Sequence, residues 1–293
     1  MTVLPDLPCY LNGAFGPLAE ARISPMDRGF IFGEGIYEVL PVYGRRLFRF
    51  EAHMERMEHG LARLRIDNPL SRAEWLAVAH RLIEQLPDAD QRVYCQITRG
   101  VAMRNHVMPI DIEPTSFAYT SPAPPMPAEL RHQGLACVTA RDFRWERGDI
   151  KCTSLLGNVL ARQISADADA QETILLRDGF LTEASSSNVW IVKEGALLGP
   201  PRSEHLLQGV RVELLRELCE DCGIGYNLCP ISEAELFAAD EILISSAGRE
   251  VVAVTTLDHE PVGHGAMRGK PGPVYARLYE AYQKAKLTPS HLS

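Results

Sequence analysis

Hydrophobic positions follow a period of two in several short runs, which is typical of strands with one buried face. In residues 36–43 this period places Tyr37 and Val39 on one face and Glu38 on the other. The dipeptide Asn12-Gly13 predicts the turn of an opening hairpin. Further strands are predicted around residues 91–98, 117–120, 135–140, 173–177, 188–192 and 241–245.

Apolar residues spaced three to four positions apart predict the helices. The first, residues 51–64, turns its apolar side chains inward and leaves Arg56 near the edge of the apolar stripe. Two more helices begin at capping boxes, in which Ser71 or Ser232 is followed three residues later by a glutamate. The remaining helices are predicted after Lys151, from residue 207 to 222 and from 274 to 285.

The clearest change in composition is a proline-rich segment, residues 121–127, in which four of seven residues are proline. Such a segment is stiff and extended, as linkers between domains often are. We therefore predict a small N-terminal domain of residues 1–120 and a larger C-terminal domain of residues 128–293 that carries Lys151.

The composition excludes several classes of function. The 293 residues are 46% hydrophobic and 23% charged, as in ordinary globular proteins, and the net charge of -8 gives no basic surface for nucleic acid. No apolar run reaches the roughly 18 residues of a membrane span, and we expect a cytoplasmic protein. Seven scattered cysteines predict reduced thiols, and Cys219 and Cys222 fit core packing better than a zinc site, so no metal is expected.

Lys151 is the first candidate for chemistry. Residues 139–143 end a predicted strand and residues 155–164 have helical spacing, so Lys151 lies where a strand gives way to a helix. A lysine there becomes a nucleophile toward an aldehyde if burial or nearby positive charge favours its neutral form. Arg144 and Arg147 are candidates for that charge. The alternative is an ordinary solvated lysine.

Three other places have the chemistry to bind a charged ligand. Glu183, before three serines and an apolar strand, could hold a heterocyclic nitrogen protonated or belong to a plain loop. The helix predicted from residue 207 offers N–H groups at its start to a phosphate, and the turn after Ser246 could add more. Arg104 and His106 would point the same way in an extended segment and could grip a carboxylate, or could lie in a polar loop.

These motifs occur in an order that resembles the class IV (fold type IV) pyridoxal phosphate aminotransferases, from about residue 9 to 275. The group includes D-amino acid and branched-chain aminotransferases and aminodeoxychorismate lyase. The motifs are Phe-Gly-Glu-Gly-Ile-Tyr-Glu-Val from residue 32, His-x-x-Arg ending at Arg56, Ile150-Lys151, Leu-Leu-Gly-Asn from residue 155, Glu183-Ala-Ser-Ser-Ser-Asn188, Gln208-Gly-Val, Ser245-Ser246 and Gly269-Lys-Pro-Gly-Pro.

The resemblance implies a two-domain α+β protein that binds pyridoxal 5'-phosphate between its domains and forms a homodimer. Lys151 matches the lysine that forms the Schiff base with the cofactor and moves the proton between Cα and C4′. Glu183 matches the partner of the pyridine nitrogen, and Arg56 matches a phosphate-binding arginine. The other implied cofactor contacts are Ser187, Asn188, Gly209, Val210, Arg211, Ser246 and Ala247.

Two cofactor positions depart from the family pattern. The family usually has threonine where Arg211 stands and a hydroxyl residue where Ala247 stands. Two hydroxyl contacts to phosphate are therefore missing. Backbone N–H groups can still serve, and Arg211 could add positive charge.

The substrate residues most resemble those of D-amino acid aminotransferases. In that pattern a tyrosine and valine, here Tyr37 and Val39, face an arginine and histidine from a partner-subunit loop, here Arg104 and His106, which bind the substrate α-carboxylate. Pro41 stands where those enzymes commonly carry lysine. Arg249 stands where a small residue is usual, and we hypothesise that it recruits acidic side chains.

The function that the resemblance implies is reversible transamination between an amino acid and a 2-oxo acid. D-alanine and D-glutamate, with pyruvate and 2-oxoglutarate, are the favoured pairs. A branched-chain L-amino acid aminotransferase and an aminodeoxychorismate lyase are the alternatives within the fold. A non-enzymatic metal-binding or anion-binding protein is the alternative from another class.

Overall fold

The computed structural model describes residues 5–288, which separate into two units. Of these residues, 5–125, 150–155 and 286–288 belong to the first unit, and the second contains Met126–Asp149 and Leu156–Ala285. The chain first leaves the N-terminal unit between Pro125 and Met126, within the segment that we predicted as a linker. The predicted outer limits at residues 1 and 293 lie outside the described residues.

The first unit is built on an antiparallel sheet. Its strands are β1 (Pro8–Leu11), β2 (Ala14–Pro17), β3 (Gly35–Tyr43), β4 (Arg46–Leu47), β5 (Gln91–Thr98) and β6 (Thr115–Pro122), in the order β2-β1-β6-β5-β3-β4. Its helices are α1 (Arg28–Phe32), α2 (Phe50–Leu64) and α3 (Arg72–Glu84). The apolar faces of α2 and α3 pack on the sheet and form with it one core that includes Leu40, Met54, Met57 and Trp75.

Local signals predicted most of this unit. The Asn12-Gly13 turn, with both residues at positive φ, joins β1 to β2. The capping box of Ser71 and Glu74 begins α3. The short helix α1 was not predicted, because it spans only five residues within a segment rich in turn residues. Asp27 caps it by accepting a hydrogen bond from the Gly29 N–H.

The second unit contains a mixed sheet. Its strands are β7 (Leu135–Arg141), β8 (Glu172–Arg177), β9 (Phe180–Ala184), β10 (Asn188–Lys193), β11 (Ala196–Gly199), β12 (Tyr226–Leu228), β13 (Glu241–Ser246), β14 (Glu250–Leu257) and β15 (Glu260–Pro261). The order is β12-β11-β10-β13-β14-β7-β8-β9, with β15 on β14. Its helices are α4 (Ala128–Gln133), α5 (Leu156–Asp167), α6 (Val210–Cys222), α7 (Glu233–Phe237) and α8 (Pro273–Ala285).

The segment that contains Lys151 belongs to the first unit, whereas we predicted Lys151 in the C-terminal domain. Backbone pairing with β3 explains the difference. The Tyr37 N–H donates to the Lys151 carbonyl (3.1 Å), and Cys152 forms an isolated bridge with Ile36. The Thr153 N–H donates to the Gly35 carbonyl (2.9 Å). Residues 150–155 therefore lie along the edge of the strand that carries Tyr37.

Helix α5 forms where it was predicted, but its apolar side chains are exposed. Leu156, Val159 and Leu160 are 71%, 60% and 52% exposed. By contrast, Cys219 of α6 is fully buried, as the core-packing interpretation requires. Within residues 5–288, which include every cysteine, no disulfide is formed. None of the helices in that range combines the length and the apolarity that crossing a bilayer requires.

Candidate active site

Lys151 is held by its backbone, and its side chain contacts an aromatic ring. The Nζ atom lies 4.1 Å from the centroid of the Tyr37 ring. Two glycines of the Phe-Gly-Glu-Gly motif allow close packing of the backbone here. A Cβ at Gly33, whose φ is +66°, would lie 2.4 Å from the Ser154 hydroxyl, so Gly33 makes room for the segment that follows Lys151. A Cβ at Gly35 would lie 2.7 Å from the Ile97 carbonyl oxygen, so Gly35 makes room for the neighbouring strand β5.

Arg56, on helix α2, is fixed by a carboxylate from strand β3. Glu38 is fully buried and accepts two hydrogen bonds from the Arg56 guanidinium, both of 2.7 Å. A nitrogen of His53 lies 2.7 Å from the same carboxylate. Burial alone would raise the pKa of Glu38, but the charge and hydrogen bonds of Arg56, helped by His53, hold it well below its usual range. The ionised pair therefore orients Arg56 rigidly.

Tyr37, Val39 and Pro41 follow one another along β3 with a period of two. Tyr37 is partly exposed and stacks on Tyr94, with 5.7 Å between ring centroids. Val39 is also partly exposed, whereas Pro41 is buried. The side chains of Tyr37 and Val39 are thus partly open to solvent, whereas that of Pro41 is not.

Arg104 and His106 lie in an irregular loop and share one neighbour. The Arg104 guanidinium carbon and the His106 ring centre are each 5.5 Å from the centre of the Phe32 ring. The carbonyl of Asn105, between them, accepts a hydrogen bond of 2.6 Å from Arg28. The two side chains that we predicted to bind a carboxylate are therefore brought together in the chain itself.

The anchor of this loop is an ionic network that the sequence analysis missed. Glu34, from the Phe-Gly-Glu-Gly motif, accepts hydrogen bonds from Arg28 and from Arg99, the latter at 2.6 Å. Arg28 and Arg99 are 3% and 5% exposed. Because buried arginines need anionic partners, the network fixes both the motif and the loop that carries Arg104. Glu34 between two glycines was the available signal, but nothing local identifies its partners.

In the second unit, Glu183 on β9 is 7% exposed and accepts hydrogen bonds from two donors. One is a guanidinium N–H of Arg144, and the other is the Leu207 N–H at 3.0 Å. Burial raises the pKa of Glu183, and the Arg144 charge offsets only part of that effect. A buried carboxylate of this kind is stabilised by a further cation or N–H donor.

Arg144 and Arg147, the candidates for positive charge near Lys151, each pair with carboxylates. Arg144 donates to both oxygens of Asp142, at 2.9 and 2.8 Å, as well as to Glu183. Burial alone would raise the pKa of Asp142, but the hydrogen bonds and charge of Arg144 outweigh it and lower that pKa. Arg147 pairs with Asp149 at 3.1 Å. The charge that made both arginines candidates for acting on Lys151 is thus offset by carboxylates.

Asn188 shapes the start of helix α6. Its side-chain amide donates to the Leu207 carbonyl (3.0 Å), and a Cβ at Gly209 would lie 2.1 Å from its oxygen. The hydrogen bond from Asn188 to Leu207 holds the loop extended as far as Gly209. Helix α6 therefore begins at Val210 and not at residue 207 as predicted. The first N–H groups of the helix are thereby presented next to the Asn188 side chain, which a Cβ at residue 209 would displace.

The other predicted cofactor residues of this unit lie in turns or close to them. Arg211 is 2% exposed, and its guanidinium carbon lies 6.0 Å from the Tyr282 ring centre, so its side chain points into the protein beside α8. Ser246 and Ala247 begin the turn between β13 and β14, where the Ser246 hydroxyl accepts a hydrogen bond from the Arg249 N–H at 3.1 Å. Ser187 precedes β10 and donates to Glu172 at 3.3 Å. Arg249 also contacts Glu172, at 3.2 Å.

Comparison with known proteins identifies the family of the chain. The family model "Amino-transferase class IV" matches residues 35–257. D-alanine aminotransferases of Bacillus licheniformis and Staphylococcus aureus (strain COL) are 35% and 36% identical to this chain, and each alignment covers 94% of the chain and 96% of the relative.

Solved structures share the fold at lower identity. The Escherichia coli branched-chain amino acid aminotransferase has a TM-score of 0.87 and 22% identity, with 94% of this chain and 93% of that chain covered. The T.th. branched-chain amino acid aminotransferase in complex with N-(5'-phosphopyridoxyl)-L-glutamate has a TM-score of 0.88 and 21% identity, with 98% and 97% covered. The extent of the family match and the identity to the curated relatives show that the chain belongs to the class IV aminotransferases.

Proposed function

We propose that the protein catalyses reversible transamination between a D-amino acid and a 2-oxo acid, with D-alanine or D-glutamate as donor and pyruvate or 2-oxoglutarate as acceptor. The observation that carries the proposal is the contact between the Lys151 amine and the Tyr37 ring. It brings the candidate nucleophile next to the candidate substrate residue. Relatives with 35–36% identity over nearly the whole chain bear the name D-alanine aminotransferase, which supports the D configuration.

Class IV aminotransferases use pyridoxal 5'-phosphate, and the residues present fit that molecule. Lys151 offers an amine for the aldehyde, and Glu183 offers a buried carboxylate for the pyridine nitrogen. The first turn of α6, which follows Gly209, and the turn after Ser246 offer N–H groups for the phosphate. When bound, the cofactor supplies an electron sink for the negative charge that develops at the substrate Cα.

Each proposed role follows from the chemistry of the side chain. The Lys151 amine would hold the cofactor covalently and, once free, would take the proton from the substrate Cα and return it at C4′. Glu183 would keep the pyridine nitrogen protonated, because its buried charge is stabilised by a cationic partner. Arg56, oriented by Glu38, would bind the phosphate, with Ser187, Asn188, Gly209, Val210, Arg211, Ser246 and Ala247 as the surrounding residues.

On the substrate side, we propose that Tyr37 and Val39 face the amino acid while Arg104 and His106 bind its α-carboxylate. A guanidinium and an imidazole grip a carboxylate by charge-assisted hydrogen bonds, which are shorter and stronger than neutral ones. The same grip serves pyruvate, 2-oxoglutarate and most amino acids, because all of them carry that carboxylate. Discrimination between substrates then falls to the side-chain pocket.

The second candidate is transamination of branched-chain L-amino acids. It is favoured by the TM-scores of 0.87 and 0.88 to branched-chain aminotransferases. The identity to those structures is only 21–22%, whereas it is 35–36% to the D-alanine aminotransferases. We therefore rank D-amino acids first.

We further propose that the enzyme is a homodimer. The loop that carries Arg104 also exposes Met103, Val107 and Ile110, which are 83%, 72% and 84% accessible. Leu156 and its neighbours on α5 form a second exposed apolar set. Apolar patches of this kind on a soluble protein usually mark an interface. A second copy of the chain would cover them and would bring Arg104 and His106 close to a partner's substrate.

The first test concerns Lys151. We expect Lys151→Arg to lower kcat by about 10²–10⁴-fold, the usual contribution of a positioned acid–base group, because arginine can neither condense with the aldehyde nor give up its proton. Borohydride reduction and peptide mapping of the wild-type protein should place the pyridoxyl group on residue 151. Lys193→Arg, at an exposed site, is the control. A pyridoxyl group on another lysine would overturn the assignment.

The second test concerns the amino donor. With 2-oxoglutarate as acceptor, we expect kcat/KM for D-alanine to exceed that for L-alanine and L-leucine. The measurement is the initial rate of pyruvate or 2-oxo acid formation for each donor. A higher value for L-leucine would favour the branched-chain reaction. Formation of aminobenzoate from aminodeoxychorismate, with no transamination of any donor, would contradict both aminotransferase functions and favour an aminodeoxychorismate lyase.

The third test concerns the oligomer. Sedimentation velocity should give a mass near twice the 32.5 kDa of the chain. Val159→Asp, which puts a charge on the exposed apolar face of α5, should shift the equilibrium toward the monomer by at least tenfold. Arg216→Asp, at a charged site on α6, is the matched control. A wild-type protein that sediments as a monomer at micromolar concentration would contradict the proposal.

The fourth test uses the pH dependence of stability. Glu38→Gln should lower the free energy of unfolding at pH 7 by about 3–5 kcal/mol, because it leaves Arg56 without its carboxylate. The folded-state pKa of Glu38 is depressed, so its contribution is complete above the ordinary glutamate pKa of about 4.3 and is lost as pH falls below it. Urea unfolding at several pH values should therefore show the free energies of unfolding of wild type and Glu38→Gln converging in acid. A constant difference down to pH 3 would contradict the depressed pKa.

Glu55→Gln is the control, because Glu55 is exposed on α2, the helix that carries Arg56. Its free energy of unfolding should equal that of the wild type at every pH.

A further inference from the structure

Strand β8 begins with a glutamate that no local signal identified. Glu172 is 0% exposed, although a buried carboxylate is costly unless donors surround it. Five donors do so. They are the Thr173 N–H (3.0 Å), the hydroxyls of Ser185, Ser186 (2.9 Å) and Ser187 (3.3 Å), and the Arg249 guanidinium (3.2 Å).

These donors come from two separate turns. The three serines form the connection between β9 and β10, whereas Arg249 ends the turn between β13 and β14. Arg249 is fixed at two more points, since it donates to the Gln171 carbonyl (2.8 Å) and its N–H donates to the Ser246 hydroxyl (3.1 Å). A single carboxylate therefore ties both turns to the start of one strand.

The hydrogen bonds also limit what the serines can do. A hydroxyl has one hydrogen to donate, and in Ser185, Ser186 and Ser187 that hydrogen is directed at Glu172. These hydroxyls are thus committed to an anion of the protein. A phosphate bound at these turns would be held by backbone N–H groups, whose direction depends on the shape of the turns. Keeping that shape is then the task of Glu172.

We infer that Glu172 is a positioning residue, which acts through Arg249 and the three serines to hold the turn after Ser246, and beside it Ser187 and Asn188, in the conformation that binds the cofactor phosphate. This inference rests on the function proposed for that turn and for those two residues. It gives Arg249 a different role from the one suggested by the sequence. Because its guanidinium is engaged by Glu172 and Gln171, Arg249 supports the phosphate turns and does not select acidic substrates.

The test is a double-mutant cycle of Glu172→Gln and Arg249→Lys, with the dissociation constant of pyridoxal 5'-phosphate for the apoenzyme as readout. Each single variant should weaken binding at least tenfold, or about 1.4 kcal/mol. The dissociation constant of the double variant should exceed that of the wild type by a factor much smaller than the product of the two single factors. The reason is that both substitutions break the same contact. The ratio of kcat/KM for D-glutamate to that for D-alanine should stay within twofold of wild type in Arg249→Lys.

Glu241→Gln is the matched control. Glu241 is a second buried carboxylate of the same unit, and it accepts the Val274 and Tyr275 N–H groups at the start of α8 (2.8 and 2.9 Å). That variant should lower the unfolding midpoint and leave the cofactor dissociation constant unchanged. If Glu172→Gln behaves in the same way, the role of Glu172 is merely structural and the inference is overturned. If it does not fold, Arg249→Lys, at a partly exposed site, decides alone.

The failure of this inference can be told apart from failure of the proposed function. A wild-type protein that binds no pyridoxal phosphate at Lys151 overturns the proposed function. A wild-type protein that binds it, together with variants of unchanged dissociation constant, overturns only the role of Glu172. A changed D-glutamate to D-alanine ratio in Arg249→Lys would instead return Arg249 to the substrate pocket.

Discussion

The structure depends on one electrostatic constraint, namely that an anion buried in protein must be surrounded by donors. Glu38 meets it with Arg56, Glu34 with Arg28 and Arg99, and Glu172 with Arg249. In each case the carboxylate is on or next to a strand and the arginine is on another element. The ion pairs therefore do more than neutralise charge. They fix the elements whose residues form the candidate active site, at a geometry that apolar packing alone would leave less defined.

The same constraint shows why two neighbouring carboxylates have opposite pKa shifts. Arg144 contacts both Asp142 and Glu183, but it makes a fork of hydrogen bonds to Asp142 and a single one to Glu183. The pKa of Asp142 is accordingly lowered, whereas that of Glu183 is raised because burial dominates. Glu183 is thus the carboxylate that still gains from a cationic partner. A protonated pyridine nitrogen is such a partner, which agrees with the proposed role of Glu183.

The sequence predicted elements whose signal is local and missed those that depend on distant contacts. Strand β3 and helix α2 follow from periodicity, and their buried faces agree with it. The start of α6 was placed three residues too early, because the hydrogen bond from Asn188 to the preceding loop has no local signature. The unit to which Lys151 belongs was also missed, since its pairing with β3 joins residues more than a hundred positions apart. Among candidate site residues, the motifs named Lys151 and Glu183 directly, whereas Glu172 stands in a run that reads only as strand.

The way in which Lys151 is held suits a residue that must form and break a covalent bond. Its backbone is fixed by the hydrogen bond from the Tyr37 N–H, and the next residues continue the pairing along β3. Its amine, by contrast, lies over an aromatic ring, a contact worth about 0.5–2 kcal/mol. A buried ion pair with a carboxylate would resist release far more strongly, at about 3–5 kcal/mol for loss of a partner. In the proposed role, a fixed backbone with a weakly held amine would let Lys151 release and rebind the cofactor without moving the strand.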